Sequence, residues 1–288
     1  MPFSAAETEN CRRLIEWALR EDLADAGDVT STALIDAAQP GQADLVARQE
    51  GVIAGLPAAA LVFATVNPHL RFETLIEDGS KVGPGARVAT VTGPMCSILT
   101  GERTALNFVQ RLSGVASLTR QFVDAIAGLP GCILDTRKTT PGWRLLEKYA
   151  VRLGGGTNHR LGLYDGILIK DNHLAALGGS IEAAIRRARG VSGGSLPVEV
   201  EVDTLEQLDE ALANRPDIVL LDNFSAAELR EAVRRRDARS PGVLLEASGG
   251  ITLGSVRDKA ASGVDRVSVG ALTHSATALD VALDYQRN

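Results

Sequence analysis

The sequence has few cysteines and aromatic residues, and it has no long apolar run. Its 288 residues include three cysteines, and aromatic side chains make up 4% of them. The cysteines are far apart and odd in number, which argues against a disulfide framework or a C-x-x-C metal site, so we expect a reducing cytoplasm. The longest apolar runs, such as residues 57–66, are too short to span a bilayer. The first 14 residues lack the apolar core of a signal peptide.

The chain is acidic, with a formal net charge of −6, but one stretch of it is strongly cationic. An acidic chain argues against nucleic-acid binding, which usually needs a basic face. Between residues 135 and 173, beside a Gly-Gly-Gly run, lie Arg137, Lys138, His159, Arg160 and Lys170. Fixed cations bind carboxylates and phosphates best where water is excluded. The stretch therefore predicts a site for a small polyanion.

The first part of the chain has the pattern of a mixed α+β unit. Apolar residues recur at helical spacing over residues 10–23, and turn residues follow at 27–31. Short β-type segments then alternate with Gly/Pro turns at 44–48, 70–76 and 87–91, and a small-residue helix is predicted at 58–66. A long helix is predicted over 96–127, with Gly114 as a candidate break.

The second part alternates short apolar runs with amphipathic helical segments. Strands are predicted at 132–134, 166–169, 198–202, 218–221, 243–247 and 266–269, and helices at 181–189, 205–213, 226–235 and 253–262. Repeated strand–helix units form a parallel sheet. A barrel is the natural closure of such a sheet, and an open doubly wound sheet is the alternative.

Polar or glycine residues follow the end of every predicted strand of this sheet. They are residues 135–138, 170–173, 222–223, 248–250 and 270–271, together with Glu201. Barrel active sites are built at the carboxyl ends of the strands, so this regularity predicts an enzyme.

Two of these turns are candidates for a phosphate site. The turns Ser248-Gly249-Gly250 and Gly270-Ala271 follow the last two strands, where barrels usually bind phosphate. Backbone N–H groups can hold a phosphate there, and glycine lets the backbone approach it closely. The alternative is that both are ordinary turns between a strand and a helix.

Glu201 and Asp222 end neighbouring strands, and both are predicted to point toward the same mouth of the barrel. Carboxylates there can hold Mg²⁺, which keeps several waters and is usually shared with phosphates, or they can accept hydrogen bonds from ribose hydroxyls. They could also be structural partners of the nearby cations. Glu199 shares the face of Glu201 in a regular strand, so the pattern leaves open which of the two lies deeper.

Signatures of several other enzyme classes are missing from the sequence. No H-x-x-x-H or mixed Cys/His spacing predicts a zinc site. No G-x-S-x-G, Walker or G-x-G-x-x-G pattern occurs. Arg103, on the predicted long helix, is by itself a surface or ion-pair residue.

Several segments together resemble the quinolinate phosphoribosyltransferase family over nearly the whole chain. They are EDLADAGDVTS at 21–31, GVIAG at 51–55, ERTALNFVQRLSGVAS at 102–117, DTRKTTPGWRLLEKYAVRLGGGTNHRLGLYDGILIKDNH at 135–173, EVEVDTLEQL at 199–208, LLDNF at 220–224, EASGGI at 246–251 and VSVGALTHSA at 267–276. The departures are slight: Trp143 stands where a leucine is common, and Leu153 where a cysteine often stands. Neither departure changes a charged position.

The resemblance implies a fold, a reaction and an assembly. The fold is an N-terminal α/β sandwich domain over 1–115 and an incomplete, open α/β barrel over 116–275, as in type II phosphoribosyltransferases, with a final helix over 276–288 that returns to the first domain. The reaction joins quinolinate to 5-phosphoribosyl 1-pyrophosphate with Mg²⁺ and gives nicotinate mononucleotide, CO₂ and pyrophosphate, a step of de novo NAD biosynthesis. The assembly is a homodimer, or a hexamer of dimers, in which Arg103 reaches into the neighbour's site. Neither a nucleic acid nor a membrane is an expected partner.

The resemblance also implies roles for individual residues. Lys138, Glu201 and Asp222 are expected to be catalytic. Glu201 and Asp222 are also expected to hold Mg²⁺ through phosphoribosyl pyrophosphate, and their spacing favours Glu201 over Glu199. The expected substrate-binding residues are Arg103, Thr136, Arg137, Lys138, His159, Arg160, Lys170, Glu201, Asp222, Ser248, Gly249, Gly250, Val269, Gly270 and Ala271.

The alternatives are two related enzymes and one protein without catalysis. A type II phosphoribosyltransferase that uses nicotinate, or the paralogue linked to molybdenum transport, would need fewer cations for one carboxylate. The intact segments TRK, NHR and IKDNH argue against both. A phosphosugar-binding regulator on the same scaffold would not require an acidic pair, so Glu201 and Asp222 disfavour it.

Overall fold

The chain folds into two units, each of which collects segments that are distant in sequence. In this computed structural model, which describes residues 2–286, the first unit contains the chain up to Arg120, the segment Thr139–Gly155 and the chain from Thr273 onward. The second unit contains Gln121–Lys138 and Gly156–Leu272.

Helices and strands are numbered along the chain. The helices are α1 Ala5–Leu23, α2 Val29–Leu34, α3 Leu56–Val66, α4 Met95–Ala125, α5 Arg144–Leu153, α6 Asp171–Ala176, α7 Ile181–Ser192, α8 Leu205–Asn214, α9 Ala226–Arg239, α10 Val256–Ala260 and α11 Ala271–His274. The strands are β1 Pro40–Ala47, β2 Gly51–Val52, β3 Arg71–Thr74, β4 Lys81–Val82, β5 Arg87–Pro94, β6 Cys132–Leu134, β7 Ile167–Ile169, β8 Val198–Val202, β9 Ile218–Asp222, β10 Leu244–Ser248, β11 Arg266–Ser268 and β12 Val281–Tyr285.

The first unit is built on an antiparallel sheet of order β12-β1-β5-β3. Leu45 of β1 lies opposite Ala89 of β5 on one side and opposite Leu283 of β12 on the other. All three side chains are buried, so the middle of the sheet belongs to the core of the unit. Helices α1, α3 and α5 and the short pair β2–β4 complete an α/β unit of the predicted class.

The start of the first helix, α1, is set by its N-terminal capping residue, Ser4. The Ser4 hydroxyl accepts a hydrogen bond from the backbone N–H of Glu7, and the Glu7 carboxylate accepts one from the backbone N–H of Ser4. This reciprocal capping box satisfies two donors that the first turn would otherwise leave unpaired. The helix therefore begins at Ala5, before its predicted start at residue 10.

The predicted break at Gly114 is wrong, because α4 continues through it from Met95 to Ala125. A Cβ at Gly114 would overlap the backbone carbonyl of Thr277 and lie 3.0 Å from the Cα of Ala278. Glycine is needed there for close packing of two backbones, despite a cost of about 1 kcal/mol in helix propensity relative to alanine. In the described part of the chain no helix, α4 included, is long and apolar enough to cross a membrane.

The predicted helix over 276–288 is also wrong. Residues Val281–Tyr285 form β12, which pairs antiparallel with β1. Val281 and Leu283 are buried and their neighbours are less so, and this two-residue alternation is typical of a half-buried strand. Residues 287 and 288 of that prediction lie outside the described residues. The pattern also missed helices α2, α5, α6 and α11, where no helix was expected.

The second unit is an incomplete α/β barrel, which confirms the predicted fold class. Its parallel sheet has the order β6-β11-β10-β9-β8-β7. Strands β7 to β11 therefore lie side by side in chain order, as successive strands of a barrel do, and β6 lies beyond β11. In the described chain β6 and β7 form the two edges of the sheet, so the barrel is open.

The register of the sheet places acidic and basic side chains on one face. Glu201 of β8 pairs with Leu220 of β9, Leu220 pairs with Glu246 of β10, and Glu246 pairs with Arg266 of β11. Paired positions of parallel strands point to the same face, and so do residues two apart on one strand. Glu199 therefore shares this face with Glu201.

Replacement of Gly114 by alanine should destabilise the protein by about 1–3 kcal/mol, because the added methyl overlaps the backbone near Thr277. Chemical unfolding at constant pH measures the change. The matched control is Gly190→Ala on α7, where a Cβ would meet nothing within 4 Å and should stabilise by up to about 1 kcal/mol. Equal effects of the two substitutions would contradict the packing argument.

Candidate active site

The carboxyl edge of the parallel sheet gathers nearly all of the residues that the sequence predicted for the site. Glu201 and Asp222 lie at the ends of β8 and β9, and Asp222 pairs with Ser248 at the end of β10. Directly after strand ends, or within these turns, come Thr136, Arg137, Lys138, Lys170, Gly249, Gly250, Val269, Gly270 and Ala271. His159 and Arg160 follow Thr157, which pairs with Leu134 beside the edge strand β6.

Arg103 does not belong to the unit that contains the other predicted site residues. It belongs to the first unit, on α4, and its side chain is exposed. Its expected role in a neighbour's site stays a prediction.

A buried carboxylate fixes the segment that carries His159 and Arg160. Asp135, which is fully buried, accepts hydrogen bonds from the side chain of Asn158 at 2.6 Å and from the backbone N–H of His159 at 2.9 Å. The backbone N–H of Thr157 also donates to the carbonyl of Ile133 at 2.8 Å. The glycine run at 154–156 therefore leads into a segment that is anchored to the end of β6.

The charges of two arginines act on each other at the site. Burial lowers the pKa of Arg160, and the charge of Arg137 lowers it further, while Glu199 and Asp165 act in the opposite direction. One arm of Arg160, Nη1, donates to the carbonyl of Gly166 at 2.9 Å. Two like charges that repel each other in a partly buried place are stabilised by a ligand with two negative charges.

The structure settles which of the two glutamates of β8 lies deeper. Glu201, nearer the carboxyl end, forms an ion pair with the ammonium group of Lys170 at the edge of the site. Glu199 has a side chain only 6% exposed and points into the sheet interior, toward His159. Glu199 is thus the deeper of the two, and the role of Glu201 as the glutamate that faces the substrates stays a prediction.

The turn after β9 is held in a strained conformation next to the glycine turn after β10. Asn223 has a positive φ of 59°, and its side-chain amide donates to the Asp222 carboxylate at 2.8 Å. Its backbone N–H donates to the carbonyl of Ser248 at 3.0 Å. A Cβ on Gly249, whose φ is 91°, would lie 2.8 Å from that same nitrogen. Glycine is therefore required at 249 so that the two turns can touch.

Glu201 and Asp222 fit a Mg²⁺ ion that is held mainly by a substrate. They offer two half-buried carboxylates at the ends of adjacent strands. Mg²⁺ commonly uses one or two carboxylates and completes its shell with water and phosphate oxygens. Asn223 orients one of the two groups, Asp222, for such contacts.

A second acidic cluster lies below this edge, on the same face of the sheet. The Nε2 atom of His159 lies 3.2 Å from Oε2 of Glu199 and 3.4 Å from Oε1 of Glu246. The other oxygen of Glu246 accepts a hydrogen bond from Nε of Arg266 at 2.6 Å. The side chains of His159 and Glu246 are 9% and 0% exposed, so water does not screen these charges.

The cluster of His159, Glu199 and Glu246 keeps a proton at a pH at which a histidine free in water would lose it. Burial lowers the pKa of His159, but Glu199 and Glu246 outweigh it and raise the pKa to about 9. Burial, together with the charge of Glu246, raises the pKa of Glu199. Burial also acts to raise the pKa of Glu246, but His159 and Arg266 outweigh it and lower that pKa. Two buried carboxylates and one arginine balance their charges only when one more proton is present. Because the histidine and the two carboxylates titrate together, that proton belongs to the cluster as a whole and not to the ring alone.

The three acceptor groups of His159, Glu199 and Glu246 lie within 4.8 Å of one another, a spacing that would also suit a metal ion. A histidine bound to metal through Nε2 carries its proton on Nδ1 and donates it. Here the backbone N–H of Arg160 points at that Nδ1 atom, at 2.8 Å, which therefore accepts. The Nε2 atom carries the proton instead, and the geometry favours a proton-holding cluster over a metal site.

Sequence reasoning missed Glu246 and Arg266, and it named Asn223 only among the polar residues that follow strand ends. It weighed Glu199 only as a rival of Glu201. The one signal in the sequence was position: Glu246 lies two residues before Ser248, and so on the same face of its strand. The pairing of Glu246 with Arg266 depends on the register of β10 and β11, which cannot be predicted from a single sequence.

The fold and the cationic residues at the strand ends are typical of an α/β-barrel enzyme. Comparison with known proteins identifies the kind. Models of the quinolinate phosphoribosyl transferase family match residues 28–113 with the N-terminal domain and residues 115–284 with the C-terminal domain. The chain belongs to the quinolinate phosphoribosyltransferase family, which confirms the resemblance seen in the sequence.

Individual relatives agree with this. The nicotinate-nucleotide pyrophosphorylase [carboxylating] of Mycobacterium leprae is 47% identical over 98% of this chain and 99% of its own length. The structure of the nicotinate-nucleotide pyrophosphorylase from Francisella tularensis is similar with a TM-score of 0.90 and 40% identity, over 97% of both chains. That of NadC from Streptococcus pyogenes has a TM-score of 0.92 and 38% identity over the whole of both chains.

The raised pKa of His159 predicts that the folded protein loses stability as the pH rises from about 6.5 to 9. In that range the folded state binds more protons than the unfolded state, so the free energy of unfolding decreases with pH. The contribution is fully present below pH 6.5, and its loss amounts to at most about 3 kcal/mol. Denaturant unfolding at pH 6 and at pH 9 measures it.

The loss should be smaller in His159→Gln, which cannot take up the proton, and unchanged in His274→Gln, where an exposed histidine is replaced. Wild-type stability that stays level between the two pH values would contradict the prediction.

Proposed function

We propose that the protein transfers the phosphoribosyl group of 5-phosphoribosyl 1-pyrophosphate to quinolinate with loss of CO₂, and so forms nicotinate mononucleotide and pyrophosphate for NAD biosynthesis. The observation that carries the proposal is the gathering of cations at one edge of the parallel sheet: Arg137, Lys138 and Lys170 follow strand ends, and Arg160 lies in the segment that pairs beside β6. The two planar guanidinium groups of Arg137 and Arg160 suit the two adjacent carboxylates of quinolinate.

The site must bring many negative charges together, since one substrate has two carboxylates and the other a phosphate and a pyrophosphate. Such charges pack only against fixed cations and donors. Arg137, Lys138, Arg160 and Lys170 come from three segments of the second unit and supply them. The turns at 248–250 and 270–271 supply backbone N–H groups for the phosphate.

In the proposed reaction the ring nitrogen of quinolinate attacks C1 of the ribose as pyrophosphate leaves. Positive charge develops on the ribose, and Glu201 and Asp222 stabilise it from the carboxyl edge. Bound Mg²⁺ would neutralise the leaving pyrophosphate, with Glu201 and Asp222 as its protein ligands. Lys170 pairs with Glu201 in the free protein, so a substrate anion that engages Lys170 leaves the Glu201 carboxylate available for this role.

Decarboxylation then needs no covalent enzyme intermediate. The product of the first step is a pyridinium, and when CO₂ departs the electron pair of the broken bond stays on C2, where the adjacent positive nitrogen stabilises it. A proton from solvent then takes the place of CO₂ on C2. The residues only have to hold the ring, because the stabilising charge is in the substrate itself. Arg137 and Arg160 hold the carboxylate that remains.

The assembly and location are part of the proposal. A homodimer places Arg103 of one subunit in the site of the other, and the exposed position of Arg103 on α4 is compatible with this role. Free Cys11, Cys96 and Cys132 support a reducing cytoplasm.

Purified protein should convert quinolinate with phosphoribosyl pyrophosphate and Mg²⁺ and leave nicotinate unreacted in a parallel assay. Lys138→Ala should lower kcat/KM by about 100-fold to 1000-fold, the cost of a lost transition-state cation of about 2–4 kcal/mol. Arg230→Ala, an exposed cation on α9, should change neither constant. Turnover of nicotinate alone would indicate the salvage enzyme, and turnover of neither would favour the regulator.

The shared site predicts complementation between two inactive variants. Arg103→Ala and Lys138→Ala each disable every site of their own homodimer. After subunit exchange, half of the dimers are mixed, and each mixed dimer has one site with both wild-type residues, so activity should return to about one quarter of wild type. A mixture that stays inactive after exchange, which labelled subunits would verify, would contradict the role of Arg103 in the neighbour.

A further inference from the structure

Two buried carboxylates of the second unit have no part in the reaction as proposed. Glu199 is 4% exposed and Glu246 is 0% exposed. Burial of a charged carboxylate costs several kcal/mol unless partners compensate it, so such groups persist where they serve a purpose. Both meet at the same atom, Nε2 of His159.

The His159 ring is held through both of its nitrogen atoms. Nε2 faces Oε2 of Glu199 at 3.2 Å and Oε1 of Glu246 at 3.4 Å, an oxygen with no hydrogen bond of its own, and Nδ1 accepts the backbone N–H of Arg160 at 2.8 Å. The backbone N–H of His159 itself donates to Asp135 at 2.9 Å. The ring therefore connects two interior strands, β8 and β10, with the backbone of the residue that follows it.

That residue is one of the two arginines of the site. Arg160 is held at its backbone by the ring, and at its side chain by the carbonyl of Gly166, 2.9 Å from Nη1. A ring that could rotate would release the Arg160 N–H and change the direction in which the guanidinium leaves the backbone. The distance between the charges of Arg137 and Arg160 would then no longer be fixed for two adjacent carboxylates.

We propose that Glu199 and Glu246 are positioning residues of the reaction, which hold the His159 ring and through it the backbone of Arg160 in the geometry that binds quinolinate. Arg266 contributes to this positioning, because its hydrogen bond to Glu246 at 2.6 Å fixes the carboxylate that faces the ring. The inference rests on the proposed reaction and adds to it a layer of residues that touch no substrate.

The test is a comparison of kinetic constants for the two substrates. Glu246→Gln and Glu199→Gln should each raise KM for quinolinate about 10-fold or more, as loss of a carboxylate behind a functional histidine typically does. The KM for phosphoribosyl pyrophosphate should change less than about twofold, since that substrate binds elsewhere on the edge. Glu206→Gln, an exposed glutamate of α8, is the matched control and should change neither.

Two substitutions of His159 separate the connection to Arg160 from a contact with the substrate. Asn at 159 keeps an acceptor where Nδ1 lies, within reach of the Arg160 N–H, but has nothing at Nε2. Gln at 159 keeps a polar group near the two carboxylates but has no acceptor beside the Arg160 N–H. The inference predicts the lower KM for quinolinate in His159→Asn, and equal KM values for the two variants would overturn it.

The outcomes also separate the inference from the proposed function. No turnover by the wild-type protein would refute the reaction itself. Wild-type turnover with an unchanged quinolinate KM in folded Glu246→Gln and Glu199→Gln would refute only the positioning role. If either glutamine variant fails to fold, as judged by circular dichroism, the comparison of His159→Asn with His159→Gln decides.

Discussion

Two carboxylates and one imidazole share a proton inside the parallel sheet, and the site above depends on that arrangement. Glu199 and Glu246 face the same nitrogen of His159, with Arg266 beside them, where water does not screen their charges. Such a set is stable only with its protons and hydrogen bonds in place. It can form because the register of β8, β10 and β11 points these side chains to one face.

The rest of the site follows from this foundation and from the carboxyl edge of the sheet. The cluster fixes His159, Asp135 fixes the same segment from the end of β6, and Arg160 is thereby placed near Arg137. Lys170 and Glu201 form a further ion pair at the carboxyl edge of the sheet. This gathering of cations agrees with membership of the quinolinate phosphoribosyltransferase family.

Much of this could be read from the sequence, for definite reasons. Strand–helix alternation beyond residue 130 predicted the barrel, and polar residues after each strand predicted the edge, because both are local patterns. The helix predicted at the C-terminus failed because β12 is set by its pairing with distant β1. Gly114 was misread because its reason is a backbone far along the chain, at Thr277. Glu246 stayed hidden because only the register brings it to His159.

The protonation of the His159 ring tests this account most directly. Nitrogen-15 NMR of protein labelled at its four histidines, with the signals of His159 identified by their loss in His159→Gln, reports which ring nitrogen carries the proton. The account predicts that Nε2 is protonated in the free protein at neutral pH. An Nε2 that lacks a proton, with the proton on Nδ1, would contradict it, because neither the contact with Glu199 and Glu246 nor the hydrogen bond from Arg160 could then be made.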